Sequence, residues 1–290
     1  MKLYCVIACY RPDLAQLALL CRSLLAEGAQ VHLVDNSEED VFAQHALSHT
    51  CLVSSLGYNS GIAHAQNVGV RQALNAGADI VVFFDQDSQI DAGFLSRLTA
   101  PMNLGTPDIV SPLYYDASTS SELPSQSVSD WGVTKTVHGT SRQPYEVDVV
   151  ISSGTAATKE VFPIAGGLDE RLFIDFVDTE WCLRCRSKKI PIRVVPSAVM
   201  RQRIGAMSIR VGPLTVLVHS PVRCYYQFRN SFHLFRKKHI PFIFALREML
   251  SVFGSRFLLL FFVKDRRAYL RAYLWGVWDG LRGVGGPCRI

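Results

Sequence analysis

The first hundred residues alternate short apolar runs with helix-period stretches, which restricts the chain to a mostly parallel sheet with helices on its faces. Residues 3–9 are a continuous apolar run, as strands buried on both faces tend to be. Pro12-Asp13 then opens a helix carrying Leu14, Leu17, Ala18, Cys21, Leu24 and Leu25 at helical spacing, ended by Gly28. Residues 31–34 and 51–54 read as the next strands and 61–76 as a helix closed by Gly77. Residues 80–84 read as a fourth strand, ending at Asp85. Residues 114–145 are rich in Ser and Thr, with Pro124 and Pro144, and read as a variable loop with one hairpin. Order resumes at 147–151, followed by a short helix to Phe162, a helix over 178–188 and strands near 192–195 and 198–200. From Pro221 onward the chain reads as helical, interrupted at Pro241; no internal repeat is visible.

Of the 290 residues, 49% are hydrophobic and 19% charged, which excludes a disordered chain. The eight cysteines form no CxxC…CxxC frame, so they read as reduced packing residues and fit a cytoplasmic address. The N-terminus runs straight into a strand and offers no signal-peptide pattern. Charge is uneven. Residues 1–222 carry 17 Lys and Arg against 22 Asp and Glu, a net of −5; residues 223–290 carry 13 against 3, a net of +10. The basic tail calls for a partner.

In an open α/β sheet, ligands bind beyond the carboxyl ends of the strands. Asp85-Gln86-Asp87 sits at such an end. Two carboxylates one residue apart can reach one hard cation, Mg²⁺ or Mn²⁺, with diphosphate oxygens completing its shell. Asp85 and Asp87 are both candidate ligands. The competing reading is a solvated acidic turn. Asp35 ends another strand, where it can meet a nucleobase or ribose, or start an Asx turn. Residues 57–69 supply Gly61 and Gly69 for close backbone approach and Asn59 and Asn67 as amide donors and acceptors. Further on, 173–184 packs Asp175, Asp178 and Glu180 among aromatics.

The succession Cys-Tyr-Arg-Pro (9–12), Val-Asp-Asn-Ser (34–37), the Asn59–Gly69 stretch and Phe-Phe-Asp-Gln-Asp-Ser (83–88) resembles the GT-A glycosyltransferases of family 2. The bacterial rhamnosyltransferase branch used for O-antigen and other surface polysaccharides is the most similar. The likeness continues through Ser153-Gly154, residues 166–170, 173–184 and Tyr225 to Asn230, covering about residues 3–235. It implies a Rossmann-like, mixed sheet with flanking helices as a catalytic domain over 1–220. Its nucleotide-sugar half would span about 1–110 and its acceptor half about 111–220, with a helical extension over 221–290. It implies an inverting sugar transfer, with L-rhamnose from dTDP-L-rhamnose as donor and another UDP- or dTDP-sugar as the alternative. On the donor side it implies Cys9, Arg11, Asp35, Asn59, Gly61, Asn67 and Asp85, with Asp87 and Asp85 at the metal. On the acceptor side it implies Gly154, Asp175, Glu180 and Trp181. Asp178 takes the place of the catalytic base, a role that desolvation by Phe173, Phe176 and Trp181 would favour; its plain alternative is a helix cap. Where family members often carry a histidine, this chain has Gln202, flanked by Arg201 and Arg203, which can pair with a diphosphate.

The apolar runs at 242–246 and 257–263 fall short of the roughly 20 residues a membrane span needs. With their Lys/Arg excess they suit an anionic membrane surface at the inner face of the bacterial inner membrane, near a polyprenyl-diphosphate-linked glycan acceptor. A packed hairpin or a homo-oligomer interface is the alternative. The acidic body argues against a nucleic-acid partner. A reading of another class is a non-catalytic, membrane-associated nucleotide-binding adaptor.

Overall fold

The structure is a computed structural model describing residues 1–117, 120–129, 132–137, 142–202, 208–211 and 214–289, with 202, 208–211 and 214–216 as backbone. The first half runs β1 (Leu3–Cys9), α1 (Leu14–Ala26), β2 (Gln30–Asp35), α2 (Leu47–Thr50), β3 (Leu52–Ser55), α3 (Ile62–Asn75), β4 (Ile80–Asp85), α4 (Phe94–Thr99) and β5 (Ile109–Asp116). The second continues with β6 (Ser125–Ser129), β7 (Gly132–Thr136), β8 (Tyr145–Glu146), β9 (Ala156–Thr158), α5 (Val161–Ala165), a 3₁₀ turn (Glu170–Leu172), α6 (Val177–Ser187) and β10 (Ile192–Gln202). A hairpin, β11 (Ser208–Val211) and β12 (Leu214–Leu217), precedes α7 (Pro221–Phe235), α8 (Phe242–Leu259) and α9 (Arg266–Arg282).

Eight strands form one sheet in the order β3-β2-β1-β4-β9-β5-β10-β8. The β3-β2-β1-β4 half is parallel, as is the β5–β10 pair, while β9 and β8 run antiparallel to their neighbours. Alternation along β1 divides the core into two layers. Cys5, Ile7 and Cys9 pack with Leu17, Cys21 and Leu24 of α1, while Tyr4 and Val6 face Ala63, Val70 and Ala73 of α3. Asp13 caps α1, its Oδ1 accepting from the N–H groups of Ala15 and Gln16. A Cβ on Gly69 would lie 2.2 Å from Val6 Cγ1, so this glycine sets the spacing of α3 on the sheet. In register, Ala8 faces Asp85 and Cys9 faces Asp35, which brings both strand-end carboxylates to one edge.

The parallel half and the β6–β7 hairpin are as expected from the sequence. Two features differ. Strand β9, three small residues wedged between β4 and β5, is one that the sequence pattern does not mark; the ordered stretch 147–151 before it carries the buried Val147 and Val150. The two short strands expected near 192–200 are one strand, with a register shift between Val195 and Val199 where Pro196 lacks an N–H to donate. The helical region docks on the body through α7: Arg229 and Asn230, both fully buried, bond the carbonyls of Arg171, Leu172, Ile174 and Asp175. Helices α8 and α9 pack on α7 around Phe228, Val252 and Tyr273.

Candidate active site

The turn after β4 is held from three sides. Gln86 Oε1 accepts from Tyr10 N at 2.7 Å, and Gln16 Nε2 donates to the Asp87 carbonyl at 2.9 Å. Ser153 Oγ accepts from Asp85 N at 3.0 Å and bonds Ser88 Oγ at 2.7 Å. Asp85 and Asp87 are thereby fixed on the wall of a cavity of about 980 Å³. Its other walls include Gln66 and Ser152, then Asp175 and Asp178, and finally His219, Arg223 and Gln227. Carboxylates from two distant stretches of sequence thus meet at one hollow beyond the strand ends.

Asp178 lies in the first turn of α6, with Oδ1 accepting from Thr179 N at 2.7 Å. Burial raises its carboxyl above the ordinary value and the Asp175 charge adds to this, while peptide N–H groups of Thr179 and Ser152 pull the other way. The cap position of α6 is Phe176, which makes no side-chain cap bond, so the helix-cap reading of Asp178 does not hold: it sits one residue inside the helix as an acidic first-turn residue. Before it, Phe173, Asp175 and Phe176 all have positive φ (65°, 62° and 64°). Such backbone persists only where the surroundings impose it. The imposing groups come from α7: Asn230 Nδ2 lies 2.9, 2.7 and 3.0 Å from the Leu172, Ile174 and Asp175 carbonyls. Arg223 forks onto Asp175 through Nε and Nη2 at 3.1–3.2 Å. Burial, then Arg223 and Arg256, hold His219 down at about 4, so it faces the cavity neutral near pH 7.

Several residues taken from the sequence lie elsewhere. Cys9 is fully buried with its side chain in the α1 layer, and only its carbonyl, accepting from Asn36 N, reaches the strand end. Arg11 is exposed and paired with Glu38 at 3.2 Å. Asp35 is 1% exposed, its two oxygens accepting from Ser37 N and Val41 N, so the Asx-turn reading describes its contacts. Asn59 joins Asn36 at 3.1 Å, and Asn36 Oδ1 also accepts from the N–H and hydroxyl of Ser60. Asn67 ties α3 to the Leu168 backbone and to Glu170 instead of lining a nucleotide site. At Gly61 (φ 87°) the close neighbour is Phe173, 2.6 Å from a built Cβ. Gly154 (φ 83°) gives room to Pro112 and Met200 and is not among the cavity residues.

On the acceptor side, Trp181 faces the core, against Phe83 and Phe162, with its indole N–H on the Gly166 carbonyl. It does not line the cavity, because its position on α6 points it at the sheet. Glu180 also turns away, into an ion cluster with Arg184 (2.8 Å), His239 (2.9 Å) and Lys237 (3.5 Å). Burial pushes its carboxyl up, but the contact with His239 and the charges of Arg184 and Lys237 outweigh it and hold it at about 2. Arg201 is exposed near the end of β10; Gln202 is described as backbone only, and Arg203 lies outside the described residues. Gln66 and Ser152, joined at 2.8 Å, are wall residues that the sequence pattern did not single out. Gln66 falls four residues after Ile62, another cavity residue, and this helical spacing is the signal that marks it.

Among the described residues, no group of three or more His, Cys, Asp or Glu side chains is placed to hold a metal ion. Mg²⁺ usually binds through one or two carboxylates plus substrate phosphates, a donor set that Asp85 and Asp87 fit.

The same architecture occurs in solved structures. GalNAc-T7, solved with UDP, GalNAc and Mn²⁺, matches 96% of the chain with a TM-score of 0.62 and 13% identity, the match spanning 56% of that longer chain. Residues 1–349 of S. aureus TarS, in complex with UDP-GlcNAc, match 96% of the chain and 82% of their own length, with a TM-score of 0.57 and 14% identity. The glycosyl transferase family 2 model matches residues 4–163. The dTDP-rhamnosyl transferase RfbF of Shigella flexneri is 37% identical over 293 residues, covering 99% of this chain and 98% of RfbF. The GT-A architecture and these relationships make the protein a nucleotide-sugar glycosyltransferase. The chain belongs to glycosyl transferase family 2.

Proposed function

We propose that the chain is an inverting rhamnosyltransferase. It moves L-rhamnose from dTDP-L-rhamnose onto a hydroxyl of a surface-polysaccharide or polyprenyl-diphosphate-linked glycan. The observation that carries this reading is the cavity with Asp85 and Asp87 on one wall and the half-buried, raised carboxyl of Asp178 on another. Asp178 takes the acceptor proton as the hydroxyl oxygen attacks the anomeric carbon; the bond to the diphosphate breaks and its electron pair leaves with the phosphate oxygen. Asp87, with Asp85, would hold a divalent cation, Mg²⁺ or Mn²⁺, and such a cation would supply positive charge to stabilise the departing diphosphate. The rhamnosyl donor is supported by the full-length likeness to RfbF.

The helical region is the membrane-facing part of this reading. Phe242, Leu250, Phe257 and Phe261 of and beyond α8, with Leu274 and Trp278 of α9, are each more than half exposed. Lys264, Arg266, Arg267, Arg271 and Arg282 are exposed in the same region. This pairing of apolar and cationic surface complements an anionic bilayer, where a lipid-linked acceptor would be met at the cytoplasmic face. None of the described helices is long and apolar enough to cross a membrane.

Release of nucleoside diphosphate from a panel of nucleotide sugars with Mn²⁺ tests the reaction. dTDP-L-rhamnose should be turned over fastest; no release from any donor would refute the reading. Flotation with anionic liposomes tests the surface: the chain should float with them and not with neutral ones. A dimer in place of flotation would assign the face to a second copy.

A further inference from the structure

A second cavity, of about 220 Å³, opens beside the first and shares Asp175, Phe176 and Gln227 with it. Its far wall is one face of α8: Glu248, Ser251, Ser255 and Arg256. Two of the lining side chains are more than nine-tenths buried yet incompletely bonded. Arg256 (7% exposed) donates from Nη1 to the Leu217 carbonyl at 2.6 Å, but its Nε has no hydrogen-bond partner among the described residues. Gln227 (8% exposed) is likewise unpartnered at Oε1. Buried polar groups ordinarily find partners, and these two, both lining the same cavity, leave bonding capacity that a ligand there would complete. One orphan is a donor and the other an acceptor, and the adjoining Ser251 and Ser255 hydroxyls do both.

That lining discriminates among ligands. A phosphate or diphosphate offers acceptors only and would meet the carboxylates of Glu248 and Asp175. A lipid chain would strand the buried Arg256 and Gln227. A sugar ring offers hydroxyls that donate and accept, together with an apolar face for Phe176.

We propose that this second cavity binds a sugar unit of the acceptor glycan, with Gln227, Glu248, Ser251, Ser255 and Arg256 reading its hydroxyl groups and Phe176 covering its apolar face. Gln227 stands in the wall between the two cavities, so a neighbouring unit of the same glycan reaches the hollow of Asp178. Acceptor choice then resides in a helix beyond the sheet domain, separate from donor recognition. This inference rests on the sugar-transfer reading.

Saturation-transfer NMR tests it with a panel of methyl hexopyranosides and methyl N-acetylhexosaminides, added to the full chain loaded with dTDP and Mn²⁺. At least one glycoside should bind. Glu248→Ala, which removes a polar contact, and Ser251→Trp, which fills the cavity from an exposed helix position, should each weaken it by about tenfold or more. dTDP affinity and melting temperature should match the wild type in both variants. Binding of none of the glycosides, or equal binding by wild type and both variants, would overturn the proposal. Failure of the wild type to bind dTDP or to turn over any nucleotide sugar would instead refute the transferase reading beneath it.

Discussion

Replacing Asn230 with alanine removes the clamp on the loop that carries Asp175 and leads into Asp178. The Asn230 amide places two hydrogens among three carbonyl oxygens at 2.7–3.0 Å, in a position with no solvent exposure. Each buried carbonyl left without a donor costs on the order of 1–3 kcal/mol. The Leu172 carbonyl keeps Arg229 as a donor, so those of Ile174 and Asp175 lose theirs and the loss comes to roughly 2–6 kcal/mol. The three positive-φ residues of this loop store about 1–3 kcal/mol each, about 3–9 kcal/mol together, so the loop has the energy to relax once released. Asp178 begins two residues past the last of them, and a shift on the order of 1 Å at a reacting group costs about 10²-fold in rate. Asn230→Ala should therefore lower kcat about a hundredfold, measured well below its melting temperature. Nucleoside diphosphate affinity should stay within about twofold, because the turn bearing Asp85 and Asp87 is fixed independently by Tyr10, Gln16 and Ser153. Melting temperature would fall as well, and Asn230→Asp, which keeps the shape but replaces the donor amide, should not rescue turnover. A variant that melts several degrees lower yet keeps kcat within a factor of two would refute the reasoning.

Other consequences are open to measurement. Asp175→Asn removes a negative neighbour that raises the Asp178 carboxyl, so the acid limb of the pH–rate profile should move to lower pH; an unmoved or raised limb would contradict the coupling. Glu180 is held at about 2 against an ordinary 4.5, so its contribution to stability is complete above about 4.5 and is lost as pH falls toward 2. At ~1.36 kcal/mol per unit the contribution is roughly 3 kcal/mol, and urea unfolding should show that loss on acidification in the wild type but not in Glu180→Gln. Gly61→Ala puts a Cβ 2.6 Å from the Phe173 ring at a φ of 87°, and should cost about 1–3 kcal/mol by thermal unfolding while lowering turnover through the same loop; unchanged turnover would sever Phe173 from the site.

What the sequence revealed, it revealed through period and order. The run Leu3–Cys9, the cap at Asp13 and the apolar spacing of α1 are local signals, and the structure places them as expected. Strand β9 escaped notice because Ala156–Thr158 has neither the length nor the bulk to announce a strand; its neighbours β4 and β5 impose its conformation. Asp85, Asp87, Asp175 and Asp178 do meet in one cavity. The errors lay in assigning direction. Cys9, Asn67, Glu180 and Trp181 sit in the right segments, but their side chains turn into the core, into a backbone tie or into an ion cluster. Which way a side chain points within a motif depends on partners distant in sequence. Asn230 met that limit too: nothing local distinguishes a helix residue that packs from one that restrains a loop more than fifty positions earlier.

In the proposed reaction Asp178 receives the acceptor proton, while Asp85 and Asp87 stand on a separate wall of the same cavity. Turnover of dTDP-L-rhamnose by Asp178→Asn, set beside calorimetric binding of dTDP with Mn²⁺ to the same variant, tests this most directly. Loss of a catalytic base typically costs about 10²–10⁴-fold, so transfer should fall by that factor while dTDP affinity stays within about twofold. Transfer within tenfold of wild type, with the variant folded and binding dTDP, would contradict the account.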